Sequence, residues 1–288
     1  MSTSRSLDAC SEVVWKLRED GHHAVHRASD GTFWIPGLSH PSPPRSERVP
    51  EGYPGLEDPV YHVRLLNVSA DGELLRDVDV LDVLHENGLW DHVELRFRRS
   101  DVVHTNDVEP LPDTLASEYP AFESGDPVVS LRDANLVFVL DPETREVKWH
   151  ADGPFRLQHD PDFTGDGRIG VFDNQWDGRE DRRAPGDTSR IVSLDVRTGE
   201  HEVLFPRSRS EPFFTAHRGK WDRLENGNLL LVEADAGRVV EVAPDDGRTV
   251  WEWVAEPYDE THVPGVANAV RHDLTREDVA EWPCSEVE

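Results

Sequence analysis

The sequence predicts an all-β fold, a single β-propeller of four-stranded blades, because one paired-strand unit recurs along the chain. In each copy an apolar run ends near an Asp-Pro or Asp-Gly turn, and a second run follows that often ends in tryptophan. Polar turn residues between β-branched runs are typical of β-hairpins. The copies are residues 63–80, 136–149, 190–205 and 238–253.

A second pair of short apolar runs precedes each of these hairpins, so one repeat contains four strands. These earlier pairs are residues 23–35, 104–131, 159–172 and 217–232. The later hairpins recur about every 50 residues, which is the spacing of propeller blades. The outermost strands, near Trp15, Val80, Trp149, Phe205 and Trp251, indicate five blades, and six is the alternative because the intervening segments are long.

The ends of the chain predict how the ring closes. The run at residues 13–17 resembles the closing run at residues 249–253 but has no hairpin partner before it. We expect it to be the outer strand of the last blade, with inner strands from about residues 266–270, because this arrangement leaves no exposed sheet edge. The propeller then spans residues 1–272, and residues 273–288 form a tail with a short helix at 275–282.

Three segments interrupt the repeat and are expected to be surface loops. They are the Pro-rich residues 36–54, residues 84–99 and the Arg/Asp-rich residues 176–188. Proline and clustered charge are poorly compatible with a central strand.

The charge of the chain restricts its partners. It contains 58 acidic and 30 basic residues, for a formal net charge of −28, and only Lys16, Lys148 and Lys220 are lysine. Such a field repels polyphosphates and anionic lipids, so we expect neither a nucleic acid nor a membrane as partner. The composition resembles that of proteins from salt-loving archaea, and it predicts a requirement for high salt, which screens the repulsion.

Cys10 and Cys284 lie near opposite ends and have none of the spacing of a zinc or redox motif. The termini of a closed ring can be neighbours, so a disulfide between Cys10 and Cys284 is kept as an alternative to two free cysteines. The first thirty residues contain no apolar run of signal-peptide length, and no stretch reaches the roughly 20 apolar residues that span a bilayer. These observations predict a cytoplasmic protein, and we expect it to be a monomer.

Histidine tends to open the first run of each repeat: His22 or His23, then His104, His159 and His217. Residues that enter the innermost strands from the same end of different blades meet near the axis of a propeller. We therefore expect His104, His159 and His217 to converge. The alternatives are histidines that cap strands or satisfy buried carbonyls, and imidazoles that ligate a transition metal; we assign no metal and no cofactor.

Residues 162–173 approximate a calcium-binding loop, with Asp162, Thr164, Asp166 and Asp173 at ligand positions. No flanking helices are predicted, and the other repeats have an Asp-Gly turn at the same place. We interpret the segment as a hairpin turn. No nucleophile-elbow pattern occurs, so nothing supports a serine nucleophile.

The segments DVVHTND at 101–107 and VSLRDAN at 129–135 resemble the His-x-Asn … Val-Ser-x-Arg blade of arylsulfotransferase-like proteins. Further motifs follow in the order of that family: Gln158-His159, Asp166-Gly167, Asp173-Asn174, the loop with Arg179, Ser189-Arg190 and Leu224 to Asn228. The resemblance covers roughly residues 101–253.

The resemblance implies a β-propeller enzyme that transfers a sulfuryl group from an aryl sulfate to a phenolic acceptor through a sulfated histidine, without a nucleotide donor. By position, His104 and His159 match the sulfate-contacting histidines, Arg179 matches the anion-binding arginine, and His217 is the nearest candidate for the nucleophile. Further expected ligand contacts are Asn106, Arg132, Gln158, Asn174 and Arg190.

The expected partner is therefore a small-molecule aryl sulfate or another anion. The alternative is a non-catalytic propeller that binds a small ligand or a protein through its central funnel.

Overall fold

The computed structural model describes residues 2–93, 100–176, 188–260, 262–282 and 284. Strands dominate these residues and confirm the all-β class. In the described part of the chain they form one six-stranded sheet and three four-stranded sheets, and the registers are antiparallel throughout.

The first sheet contains the six N-terminal strands. They are β1 (Ser2–Leu7), β2 (Val13–Gly21), β3 (His26–Arg27), β4 (Phe33–Leu38), β5 (Val63–Val68) and β6 (Leu74–Asp79). Strands β3 to β6 pair in chain order and form the first blade. In the described residues, the strand pairing of the β1–β2 hairpin with this blade is limited to Gly21 and Gly37, and Trp15 and Leu17 also pack against the blade.

Each of the other three blades contains four strands that pair in chain order. The second blade is β7 (Thr105–Pro110), β8 (Pro127–Leu131), β9 (Leu136–Leu140) and β10 (Val147–Ala151). The third is β11 (His159–Gly165), β12 (Arg168–Asp173), β13 (Arg190–Asp195) and β14 (His201–Phe205). The fourth is β15 (Trp221–Arg223), β16 (Leu229–Glu233), β17 (Arg238–Val242) and β18 (Thr249–Val254).

The apolar runs of the middle strands explain why the blades stack face to face. All five residues of β9 are buried, and successive side chains of a strand point to opposite faces. Phe138 packs in a core with Leu65 of the first blade, whereas Val137 and Val139 pack in a core with Ile169 of the third. The strand therefore joins two inter-blade cores.

The first strands of the blades lie next to one another at the centre. Strand β7 contacts both β3 and β11. Trp221 of β15 donates a hydrogen bond from Nε1 to the carbonyl of Asp160 in β11, at 3.0 Å. Strands β3, β7, β11 and β15 therefore line a central channel, and the arrangement is propeller-like.

The structure corrects the expected closure. Strand β2 contains residues 13–17 and lies beside the first blade, not in the last one, and it has a hairpin partner, β1. Residues 266–270 form no strand. The structure confirms neither the expected number of blades, five or six, nor closure of the ring by the N-terminal strand.

A covalent bond joins the two ends of the chain. Cys10, in the turn of the β1–β2 hairpin, forms a disulfide with Cys284, and their Cα atoms are 5.1 Å apart. The disulfide that the sequence allowed as an alternative is thus present in the structure. It connects the N-terminal hairpin to the tail.

Two short helices complete the description. Helix α1 (Val80–Glu86) begins where Asp79 accepts a hydrogen bond from the Leu81 amide, so Val80 belongs to a helix and not to the end of an outer strand. Part of the loop expected at residues 84–99 is therefore helical. Helix α2 (Arg276–Ala280) begins with a capping box at Thr275, as expected for the tail. No helix in the described ranges is long and apolar enough to cross a membrane.

Candidate functional site

Three imidazole rings meet where the chain enters the inner strands of the first two blades. His22 and His23 precede β3, and His104 immediately precedes β7. The ring centroids of His22 and His23 are 4.6 Å apart, and those of His23 and His104 are 5.0 Å apart. His159, the first residue of β11, is near enough for electrostatic interaction with His23 and His104. We call these four residues the histidine cluster.

His104 is held by a carboxylate. Its Nδ1 lies 2.6 Å from Oδ2 of Asp101, and its backbone amide donates to Oδ1 of the same residue at 3.0 Å. Burial opposes ionisation of Asp101, but the hydrogen bond to the His104 ring holds the carboxyl pKa below its ordinary value. The ionised carboxylate stabilises the imidazolium form of His104. The other ring nitrogen, Nε2, is 3.1 Å from Nε2 of His23.

His159 is held as one neutral tautomer. The Nδ2 group of Asn174 donates to the carbonyls of Thr215 and Arg218, at 3.0 and 2.8 Å, so its Oδ1 faces His159 as an acceptor. The Nδ1–H of His159 donates to that oxygen at 2.8 Å. Burial lowers the pKa of His159 to about 3, although the hydrogen bond to Asn174 opposes the shift. At neutral pH, Nε2 of His159 therefore carries a lone pair.

The other two members of the cluster are also neutral. Burial, followed by the neighbouring imidazoles, lowers the pKa of His22 to about 4 and that of His23 to about 2. His104 differs from these rings in that its Nδ1 lies at hydrogen-bond distance from a carboxylate.

The backbone at this site adopts a conformation that is rare outside glycine. His23, His104 and Asp160 have φ angles of 61°, 51° and 49°. The pairing register also shifts in β7 between Thr105 and Asp107, and in β11 between His159 and Pro161. Such bulges redirect side chains at the ends of strands, and strained residues of this kind concentrate at functional sites.

The family model described as Arylsulfotransferase (ASST) matches residues 3–256, which is most of the chain. The chain belongs to the arylsulfotransferase family. No curated protein matches the sequence significantly.

Among solved structures, a protein of unknown function from Bacteroides caccae is 13% identical, with a TM-score of 0.48, and the alignment covers 91% of this chain and 72% of that one. The WD40 propeller domain of Doa1 is 11% identical, with a TM-score of 0.44 and coverage of 88% and 79%. The Neurospora crassa Pan2 WD40 domain is also 11% identical, with a TM-score of 0.42 and coverage of 83% and 56%.

His217 was the expected nucleophile of this member of the arylsulfotransferase family. The structure places it away from the histidine cluster. Its side chain is 52% exposed and contacts the Trp176 ring and the Asp235 carboxylate. The cause is the turn that follows: Arg218 and Gly219 have φ angles of 61° and 103°, and the Cα of Gly219 lies so close to the Phe172 ring that a Cβ would be 2.5 Å from it. Lys220, not His217, therefore enters the channel.

Most of the other expected ligand contacts already have protein partners. Asn106 Nδ2 donates to the carbonyl of Gln158, and Gln158 Nε2 donates to Ser130 and to two backbone carbonyls. Arg190 pairs with Asp173, and Arg132 pairs with Asp133 through Nε. Asn174 orients His159. Arg179 lies outside the described residues.

The aspartate-rich segment at residues 162–173 lies in the β11–β12 hairpin, and its turn consists of Asp166 and Gly167. In the described ranges no group of three or more His, Cys, Asp and Glu side chains is arranged to hold a metal ion.

Asp101, His23 and Lys220 were not among the predicted site residues. A usable signal was present for two of them: a basic residue lies within three positions before each inner strand, namely His23, His104, Arg156 and Lys220. Asp101 is recognisable only from its contact with His104.

The neutral tautomer of His159 is expected to persist down to about pH 5, well below the ordinary histidine pKa of about 6.5. Acidification protonates an imidazole only as the pH falls through its own pKa, and here that value is about 3. Nitrogen-15 NMR spectra of the imidazoles between pH 8 and pH 5 measure this, with the exposed His201 as an internal reference. A His159 resonance that titrates near pH 6.5 would contradict the assignment.

Proposed function

We propose that this chain transfers a sulfuryl group from an aryl sulfate to a phenolic acceptor, with Nε2 of His159 as the nucleophile. The observation that carries the proposal is the fixed neutral tautomer of His159 beside the Asp101–His104 pair. An unprotonated ring nitrogen is the form of histidine that can attack sulfur.

In the first step, the Nε2 lone pair of His159 attacks sulfur, the S–N bond forms and the bond between sulfur and the aryl oxygen breaks. The departing phenolate takes a proton from Nε2 of the His104 imidazolium. In the second step, neutral His104 accepts the hydroxyl proton of the acceptor, whose oxygen attacks sulfur. The S–N bond then breaks, and both histidines return to their starting states.

Three features support this division of roles. The carboxylate of Asp101 stabilises the cation that His104 must become, and it orients the ring through Nδ1. The positive charge of Arg132 acts on His159, and such a charge also favours a sulfate ester near that ring. Asn174 prevents the rotation that would exchange the two nitrogens of His159.

The test is release of nitrophenol from p-nitrophenyl sulfate, with phenol as acceptor, in molar KCl. Replacing His159 by Asn is expected to lower kcat/KM by about 10³-fold or more, because it removes the nucleophile. The matched control is His201→Asn on the exposed strand β14, and His217→Asn is a second one. Both controls are expected to retain wild-type activity.

A direct measurement complements the kinetics. Peptide mass spectrometry after a brief reaction with donor alone, under alkaline conditions that preserve the S–N bond, is expected to place the added sulfuryl group on His159. Wild-type activity in His159→Asn would contradict the role of His159. No nitrophenol release by the wild-type protein would contradict the proposal as a whole and favour the non-catalytic ligand-binding alternative.

A further inference from the structure

A second group of charged side chains lies in the channel, and each blade contributes one of its members. Lys220 directly precedes β15 of the fourth blade, and its Nζ contacts Oδ2 of Asp107 in β7 at 2.5 Å and Oδ1 of Asp160 in β11. The other oxygen of Asp107, Oδ1, is 2.8 Å from Nε2 of His26 in β3. We call these four residues, His26, Asp107, Asp160 and Lys220, the axial ion network.

The network is buried and its charges depend on one another. The side chains of Asp107 and Asp160 are 1% and 2% exposed. Burial opposes the charge on Lys220, but Asp107 and Asp160 raise the lysine pKa above its ordinary value. Burial likewise opposes the charge on Asp107, but Lys220 and His26 hold its pKa below the ordinary value. Without Lys220, two buried carboxylates from different blades would face each other with no ammonium between them.

Three members of the network are close in sequence to a member of the histidine cluster. Asp160 directly follows His159, Asp107 lies three residues after His104, and His26 lies three residues after His23. The intervening backbone is fixed by the left-handed conformations and the bulges described above. A shift of one inner strand relative to its neighbour therefore moves an imidazole by a similar amount.

We propose that Lys220 is a positioning residue for the transfer: by bridging Asp107 and Asp160 it sets the spacing of the inner strands, and with it the distance between His104 and His159. This inference rests on the proposed function. Lys220 does not touch the sulfuryl group in this scheme. It acts through the two strands that carry the acid and the nucleophile, where small displacements have large effects on rate.

The network borders a cavity of about 500 Å³, whose lining includes Lys220, Asp160 and His26. A small amine can therefore reach the space that a truncated Lys220 would leave. The chain also offers a matched control in Lys148, whose side chain is 16% exposed, as is that of Lys220. Lys148 contacts Asp126 and Asp141, at 2.7 and 3.3 Å, but all three residues belong to the second blade and its connections.

The experiment compares Lys220→Ala with Lys148→Ala in molar KCl, with and without added ethylammonium chloride. For Lys220→Ala we expect kcat to fall about 10²-fold while KM changes less than about threefold, and ethylammonium to restore at least a tenth of the lost kcat. Lys148→Ala is expected to keep kcat within twofold and to show no response to the amine. Equal kcat values in the two variants would overturn the inference.

A readout independent of turnover separates this inference from the proposed function. Lys220 contributes to the low pKa of His159, after burial and the charges of Arg132 and His104, so Lys220→Ala is expected to move the His159 NMR titration toward the ordinary value. Loss of the Lys220 charge alone would produce this shift, so the spacing itself is measured by nuclear Overhauser contacts between protons of β7 and β11. Weaker contacts in Lys220→Ala than in the wild-type protein and in Lys148→Ala support the spacing role even if the wild-type protein shows no transfer. Unchanged contacts overturn it, whatever the activity.

Should Lys220→Ala fail to fold, Lys220→Arg provides the test. The guanidinium keeps the charge but is larger and planar, so it alters the spacing between Asp107 and Asp160. We expect a folded protein with kcat at least about tenfold lower and KM little changed. A wild-type kcat in Lys220→Arg would overturn the inference.

Discussion

In dilute buffer the protein is expected to lose its folded state, whereas in molar KCl it is expected to remain folded. The formal net charge is −28, so the surface carboxylates repel one another. The Debye length, over which this repulsion acts, is about 10 Å at 0.1 M salt but only about 3 Å at 1 M. In the channel, burial, followed by a neighbouring carboxylate, raises the pKa values of Asp160 and Asp162, so protonation relieves part of the local repulsion. Burial, together with the charges of Asp107 and Asp160, raises the pKa of Glu109 to about 7, although a hydrogen bond with Asp162 opposes the shift.

Circular dichroism melts at KCl concentrations from 0.1 to 3 M measure this effect. The midpoint is expected to rise by more than about 10 °C over the series, because self-repulsion of the compact state is relieved. Sucrose, which favours burial without screening charge, serves as the control and is expected to recover only part of the loss. An unchanged spectrum and midpoint after dialysis into salt-free buffer would refute the prediction.

Loss of the Cys10–Cys284 disulfide is expected to lower the free energy of unfolding by about 2–5 kcal/mol. The bond closes a loop across 274 residues of sequence separation, so it restricts the unfolded chain strongly. In the folded protein it holds the tail beside a hairpin that pairs with the first blade at a single position. Residues 262–274, which run between the fourth blade and the tail, form no strand.

Urea unfolding of the wild-type protein with and without dithiothreitol, in constant molar KCl, measures the contribution. Cys10→Ser is expected to match the reduced wild type and to show no further response to the reductant. Identical midpoints for oxidised and reduced wild type would contradict the prediction. Disulfides are rare in reducing compartments, so the bond also counts against the expectation of a cytoplasmic location.

Turn chemistry and β-branched runs are local signals, and they predicted every hairpin from residue 63 to residue 253. The β1 strand was missed because its sequence, STSRSL, has no apolar alternation. Helix α1 was missed for the opposite reason. Its apolar residues Val80, Leu81, Val83 and Leu84 continue directly from β6, and a run this short does not distinguish a strand from a helix.

The candidate site was predicted only where histidine directly precedes or begins a strand. His104 and His159 are in such positions, and both lie in the histidine cluster. His217 lies apart from the cluster because the Arg218–Gly219 turn changes the direction of the chain before β15 begins, and a turn of that kind is set by packing against Phe172. The carboxylate beside His104 and the orienting amide beside His159 are tertiary contacts, which no single repeat of the sequence reveals.

The axial ion network also has a consequence for how this fold can evolve. Repeat proteins commonly change size by duplicating or deleting a whole unit. Here each blade contributes one member of the axial ion network, and Asp107 and Lys220 each contact members from two other blades. Loss or gain of a blade would therefore break these contacts at the axis, so the number of repeats and the chemistry of the channel must change together.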